Sequence, residues 1–199
     1  MQPIEVARES GVFFRSWLRD PRSMGSVHPS SRCLARAIAR EVDYRPGTLV
    51  IELGGGTGAI SRGLLTAGVP ADGLVVVERD PKLHAFLTRD LPDVRVINAD
   101  ATKLTEILER FGDPEISAVV SGLPMVNMPI SFQKGIYHES FRAMNGEGAV
   151  IQYSYSPISP VRAKALEARA TLKRYVMRNL PPATVWRVEP LVRDDWKQR

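Results

Sequence analysis

A glycine turn is set between a strand-like run and a helix-like run. Leu49-Val50-Ile51 leads into Glu52-Leu53-Gly54-Gly55-Gly56-Thr57-Gly58, and residues 59–67 carry helical spacing. Strand, glycine turn and helix start make the local geometry of a nucleotide-type cofactor site. Glycines let a ligand lie against the backbone and let the turn take positive φ. Glu52, at the carboxyl end of the strand, accepts hydrogen bonds but repels a phosphate. That points to a cofactor carrying an ammonium and hydroxyls. Gly54, Gly56 and Ala59 also satisfy the G-x-G-x-x-A form of a dinucleotide fingerprint, so the loop alone leaves a nicotinamide nucleotide open.

The context narrows the choice. Val75-Val76-Val77-Glu78 is a second buried-strand run ending in an acid, about 20 residues past the loop, where Rossmann-like sites place a ribose-binding carboxylate. A third strand, 94–97, runs into Asn98-Ala99-Asp100-Ala101, which puts an acid within reach of an adenine amino group. A fourth, 116–121, opens into Ser121-Gly122-Leu123-Pro124. Taken together, these motifs match the series of class I S-adenosylmethionine methyltransferases. The predicted cofactor residues are therefore Glu52, Gly54, Gly56, Gly58, Glu78 with Arg79, Asp100 with Ala101, Ser121 and Leu123; no metal is called for.

Strands are predicted near 48–53, 73–78, 94–97, 116–121 and 147–154, with helices near 58–68, 81–91, 102–111 and 131–145. This alternation implies a parallel sheet covered on both faces. A further helix is expected at 159–171. Two β-rich runs, 172–180 and 183–189, follow, and the short Pro181-Pro182 link lets them pair only antiparallel. Such a closing hairpin is foreign to the usual dinucleotide dehydrogenase and argues against a nicotinamide cofactor. The expected fold is α/β and Rossmann-like: seven strands, mostly parallel, with a C-terminal antiparallel hairpin and two extra N-terminal helices.

The second of those helices, about 31–42, follows Gly25-Ser26-Val27-His28-Pro29-Ser30-Ser31, with Ser30 or Ser31 as its N-cap. In such folds the segment before the first strand passes over the methionine end of the cofactor, so Gly25, Ser26 and Ser30 join the predicted cofactor residues. The first helix differs. At about 100° per residue, Ile4, Val6, Ala7, Phe13, Phe14, Trp17 and Leu18 share one half of the wheel with only Ser10 and Gly11 among them, while Arg8, Arg15 and Arg19 line an edge of the other and Val12 is misplaced. Large aromatics beside an arginine row suit a helix lying in the lipid headgroup layer. Residues 1–24 are read as this membrane-binding helix and 25–199 as the methyltransferase domain.

Charge agrees with a polyanionic partner. The pI is about 9.6. Residues 1–45 hold 8 basic and 5 acidic side chains, 46–161 hold 9 and 13, and 162–199 hold 10 and 4. An acidic core between basic flanks draws nucleic acid or an anionic lipid surface to the flanks. The single cysteine, Cys33, excludes an internal disulfide and suits a reducing compartment. No apolar stretch approaches the roughly 20 residues of a spanning helix, and no signal-peptide core opens the chain. A cytosolic protein is expected.

Phe13-Phe14-Arg15-Ser16-Trp17-Leu18, the 25–31 segment, Glu52 to Gly58, and Ser121-Gly122-Leu123-Pro124 with Asn127-Met128-Pro129 together resemble the bacterial phospholipid N-methyltransferases. These convert phosphatidylethanolamine to phosphatidylcholine. The resemblance spans essentially the whole chain. It implies a phospholipid substrate, S-adenosylmethionine as cofactor, and a monomer working peripherally on the inner face of the cell membrane, held there by Phe13, Phe14, Trp17 and basic residues. It implies no nucleic-acid partner.

The rival is the ribosomal-RNA adenine dimethylase type, which shares the fold and also methylates an amine. Its fourth-strand motif begins with Asn or Asp and ends on an aromatic that stacks on the flipped base. Here those places read Ser121 or Gly122 and Met125, which supplies no planar stack. The acceptor grows more cationic with each methyl, so aromatic faces are its natural cradle. Tyr137, His138, Tyr153 and Tyr155 are the candidates, with Tyr137, His138 and Tyr155 placed in the catalytic set and His138 as a possible base.

Overall fold

The computed structural model describes residues 30–192. Seven strands form one sheet: β1 (Leu49–Leu53), β2 (Leu74–Glu78), β3 (Arg95–Asn98), β4 (Ile116–Ser121), β5 (Val150–Ser154), β6 (Ala168–Val176) and β7 (Ala183–Pro190), in the order β3-β2-β1-β4-β5-β7-β6. β1 pairs in parallel with β2 and β4, β2 with β3, and β4 with β5. β7 then lies antiparallel between β5 and β6.

The helices are α1 (Ser30–Ala39), α2 (Ala59–Thr66), α3 (Pro81–Asp90), α4 (Leu104–Glu109) and α5 (Ile130–Ala143). They cover both faces because strand side chains alternate between them. Val50, Val76, Val120 and Ile151 pack with Leu34, Ile38, Leu64 and Leu87 on one face. Ile51, Val75, Val77 and Val150 pack with Leu104, Ile136 and Phe141 on the other. Burial on both faces is why β1, β2 and β4 read as predominantly apolar, with Leu74 to Val77 of β2 unbroken. Cys33 packs, partly buried, against the first of these cores. α3 begins where it does because the Asp80 carboxylate accepts the Lys82 and Leu83 N–H groups, with Pro81 at the first helical position.

The helix expected at 159–171 is absent. A short 3-10 turn, Ala163–Leu166, stands there, and β6 begins at Ala168. Ser156 and Ser159 accept the backbone N–H groups of Ile158 and Val161, offering that stretch an alternative to helical bonding. Glu167, at φ 49, ends the turn in the left-handed region. Pairing of Ala168 with Pro190 through Val176 with Ala183 then takes residues 168–171 into the sheet.

The predicted membrane helix, with Phe13, Phe14 and Trp17, lies outside the described residues. Among those described, no helix is long and apolar enough to cross a membrane, and no cluster of three or more His, Cys, Asp or Glu could hold a metal.

Candidate active site

Strand order reverses between β1 and β4, which opens a crevice at the carboxyl ends of the strands. Two loops meet there. Gly54, Gly56 and Gly58 take φ values of 80°, 55° and 76°. Gly54 donates its N–H to the Val77 carbonyl at 2.8 Å, and Gly122, past β4, donates to the Leu53 carbonyl at 2.8 Å. The approach leaves no room for side chains: a Cβ on Gly122 would lie 2.9 Å from both the Gly54 carbonyl oxygen and the Tyr153 hydroxyl. Leu123 sits where a Cβ on Gly54 would meet it at 3.1 Å. Bare backbone at the strand ends is what an adenosyl group with an amino-acid tail can lie along.

Two of the three predicted acids stand at or just past the carboxyl ends of β2 and β3, on the crevice side of the sheet. Glu78 is 8 % exposed. One of its oxygens accepts the Gly56 N–H at 3.0 Å and the other the Asp80 N–H at 2.9 Å. A carboxylate has about four acceptor positions, so room for two ribose hydroxyls remains. The Asn98 side-chain amide donates to the carbonyls of Glu78 and Arg79 and fixes the end of β2. Asp100 accepts from the Thr102 N–H and hydroxyl at 3.0 and 2.8 Å. The Thr102 N–H bond foremost, then the Thr102 hydroxyl and nearby Arg79, hold its carboxyl below the usual range against partial burial. Arg79 stands 3.6 Å from the second Asp100 oxygen on a largely exposed side chain. Ala101 opens the 3-10 turn directly after Asp100.

Glu52 is placed differently. It is 2 % exposed and takes the Ser61 hydroxyl of α2 at 2.5 Å. Burial pushes its pKa up to about 8, against the lowering effect of Ser61. Its buried carboxyl is thus spent on Ser61 and is held toward its protonated form.

The β4 loop is held from below by two buried amides. Gln133 of α5 donates to the carbonyls of Met125 at 2.8 Å and Met128 at 3.3 Å. Gln152 of β5 donates to the Leu123 carbonyl at 3.1 Å and accepts the Tyr137 hydroxyl at 3.1 Å. Ser121 is fully buried, its Oγ 3.4 Å from the Leu123 N–H it accepts. Sequence reading did not single out these glutamines. The signal for Gln152 was an amide inside an otherwise apolar run, Val150-Ile151-Gln152; Gln133, between Phe132 and Lys134, carried none.

Tyr137 is wholly buried among Ile136 and Phe141, its hydroxyl spent on Gln152. It is a core residue and cannot face a cation in the crevice. His138 is exposed on α5, eight residues or about 12 Å along the helix from the rim, because α5 runs back from the end of β4 to the start of β5. That distance removes it as a base. Tyr153 and Tyr155, at the end of β5, do stand at the rim, with rings 6.3 Å apart and edge to face. Gly25 and Ser26 lie outside the described residues; Ser30 opens α1, and its side chain is outside them too.

No family model matches the chain. An ornithine lipid N-methyltransferase of Singulisphaera acidiphila is 27% identical over 175 residues, covering 86% of this chain and 91% of the relative. Ribosomal RNA small subunit methyltransferase A of Chlorobium phaeobacteroides is 29% identical over 113 residues, 56% of this chain and 40% of the relative. The chain thus spans well under half the length of that RNA enzyme. Among solved structures, the 1,6-didemethyltoxoflavin-N1-methyltransferase of Burkholderia thailandensis, with bound S-adenosylhomocysteine, superposes with a TM-score of 0.62. It is 16% identical, covering 96% of this chain and 91% of that one. TrmN from Thermus thermophilus gives 0.57 at 22% identity, over 82% and 52% of the two chains. The fold is that of the Rossmann-like methyltransferases.

Proposed function

We propose that this S-adenosylmethionine-dependent methyltransferase acts on the amine of a membrane lipid, converting phosphatidylethanolamine and its mono- and dimethyl derivatives to phosphatidylcholine. The cofactor is S-adenosylmethionine, and the crevice fits it: bare glycine backbone for the methionine end, Glu78 for the ribose, Asp100 for the adenine. The observation that carries the lipid reading is the β4 loop. Its fifth residue, Met125, is 1 % exposed, so no planar side chain stands where a flipped base would stack. The lipid-methylating relative, matched nearly end to end, supports the same reading.

The bound cofactor supplies a methyl group on a sulfonium, which leaves as a neutral thioether. The acceptor must be a neutral amine, and a crevice that strips water from an ammonium lowers its pKa toward that form. The protein's further contribution is placement. Gln133 and Gln152 fix the loop on which the amine would rest, and orientation of this kind carries much of the acceleration in a displacement. Tyr153 and Tyr155 present aromatic rings to an acceptor that gains positive charge with each methyl. The chain works as a monomer on the inner face of the cell membrane, with Phe13, Phe14 and Trp17 of the first helix and the basic flanks against anionic lipid.

The test is incubation with methyl-labelled S-adenosylmethionine and, separately, vesicles containing phosphatidylethanolamine, vesicles containing ornithine lipid, and total RNA. Label in mono-, di- and trimethylated phosphatidylethanolamine is expected. Label confined to ornithine lipid would move the acceptor, and label in RNA with none in lipid would replace the reading by adenine dimethylation.

A further inference from the structure

β7 starts at Ala183 opposite Val176 and runs antiparallel to β5. The turn joining β6 to β7, residues 177–182, therefore lies at the same edge of the sheet as the crevice. Beside it runs the loop after β5. The Tyr175 hydroxyl donates to the Pro157 carbonyl at 3.2 Å, and the Thr184 hydroxyl to the Ser154 and Ser156 carbonyls at 3.2 and 2.9 Å. On these joined tips Leu180 is 88 % exposed, Met177 73 %, Ile158 69 % and Tyr175 56 %. An apolar group this exposed and this concentrated marks a contact surface.

Charge says what kind. Residues 168–188 hold five basic side chains and no acid. Lys173 and Arg174 stand 3.8 and 3.9 Å from Glu41, and Arg187 pairs with Asp43 and Glu189. Arg178, set between Met177 and Leu180, makes no ion pair among the described residues. A cation flanked by protruding aliphatic side chains suits the boundary of an anionic bilayer, where apolar groups enter and the guanidinium meets phosphate. Nucleic acid is gripped instead by cations with planar side chains for the bases. The three most exposed large apolar residues here are aliphatic.

The patch is continuous with the crevice. Tyr153 stands over Gly122, its ring meets Tyr155, and the Asn179 side chain, inside the turn, faces the Tyr155 hydroxyl. We propose that the β6–β7 turn and the loop after β5 form a docking surface for an anionic phospholipid bilayer. Met177, Leu180 and Ile158 enter the headgroup layer, and the crevice mouth is thereby set at headgroup level. The assignment builds on the lipid reading above and adds to it an attachment separate from the first helix.

The test uses the full chain and vesicles of phosphatidylglycerol and phosphatidylcholine, which contain no amine acceptor. Met177→Asp with Leu180→Asp is expected to weaken sedimentation with these vesicles at least about tenfold. Arg178→Glu should weaken it several-fold and flatten its salt dependence. S-adenosylmethionine affinity should be unchanged in both, which shows that the crevice is folded. Unchanged vesicle binding in the double variant, or a larger loss of affinity for RNA than for vesicles, would overturn the assignment. Docking without methylation of any lipid would leave this surface standing and refute the substrate reading instead.

Discussion

Glu78 Oε2 accepts the backbone N–H of Gly56 at 3.0 Å, so the acid that ends β2 ties down the glycine loop that ends β1. Its other oxygen holds the Asp80 N–H just before α3. One carboxylate thus shapes the loop and keeps its remaining lone pairs for a ligand. A change at Glu78 would therefore disturb the loop as well as any ligand contact its free lone pairs make.

Glu78→Ala should therefore cost more than the ribose contacts alone. Each charge-assisted hydrogen bond is worth about 1.5–3 kcal/mol, so affinity for S-adenosylmethionine and its demethylated product should fall at least tenfold. Glu78→Gln keeps one acceptor oxygen and should fall between. Titration calorimetry checks both, and wild-type affinity in Glu78→Ala would remove Glu78 from the site.

Two glycines separate packing from binding. A Cβ on Gly63 would lie 2.2 Å from the Ala35 Cβ, where α2 packs on α1 more than a turn beyond the glycine loop. Gly63→Ala should destabilise the fold by about 1–3 kcal/mol, a fall of roughly 3 °C in Tm per kcal/mol, with cofactor affinity intact. Gly54→Ala forces an L side chain to φ 80 and presses on Leu123. Its expected signature is the reverse: a large loss of cofactor affinity with a smaller loss of Tm.

The difference between what the sequence revealed and what it hid follows from range. Val75-Val76-Val77 reads as a strand because burial on both faces needs nothing but local composition. The placement of Glu78 and Asp100 at one rim was legible because a parallel sheet brings its strand ends together. The stretch 159–171 was not, since Val161, Leu166 and Ala168 suit either period, and pairing with β7 decides. Tyr137 and His138 sit about 100° apart on one helix, so they could not share a face; the core takes one and solvent the other. Gln152 was visible as an anomaly, but its partner, the Leu123 carbonyl, lies 29 residues away.

Glu52 gives the protein a pH dependence. Its folded pKa stands near 8 against an ordinary 4.5, so the folded state keeps a proton that the unfolded chain has released. Stability from this group is full below about pH 4.5 and is lost as pH rises toward 8, by about 1.4 kcal/mol per unit at most. Glu52→Gln keeps a neutral acceptor for Ser61 and should remove the dependence. Denaturant midpoints measured from pH 5 to 8 should fall in the wild type and fall less in the variant. Parallel slopes would mean that Glu52 ionises normally.

The tyrosines differ in what their loss should do. Tyr137→Phe strands the Gln152 side-chain oxygen, Oε1, in the core at a cost of about 1–3 kcal/mol in stability. Because Gln152 also holds the Leu123 carbonyl, every methyl transfer should slow by a similar factor. Tyr155 stands at the rim, 45 % exposed and edge-on to Tyr153. Its ring can meet the acceptor only as a cation–π partner, worth about 0.5–2 kcal/mol, and that attraction grows as methyl groups fix the positive charge. Tyr155→Ala should therefore leave Tm nearly unchanged and slow the last transfer more than the first, by up to roughly thirtyfold. Lipid extracts resolved into mono-, di- and trimethyl species should then accumulate the dimethyl form. Equal slowing of all three steps in Tyr155→Ala would mean that the ring shapes the pocket without sensing charge.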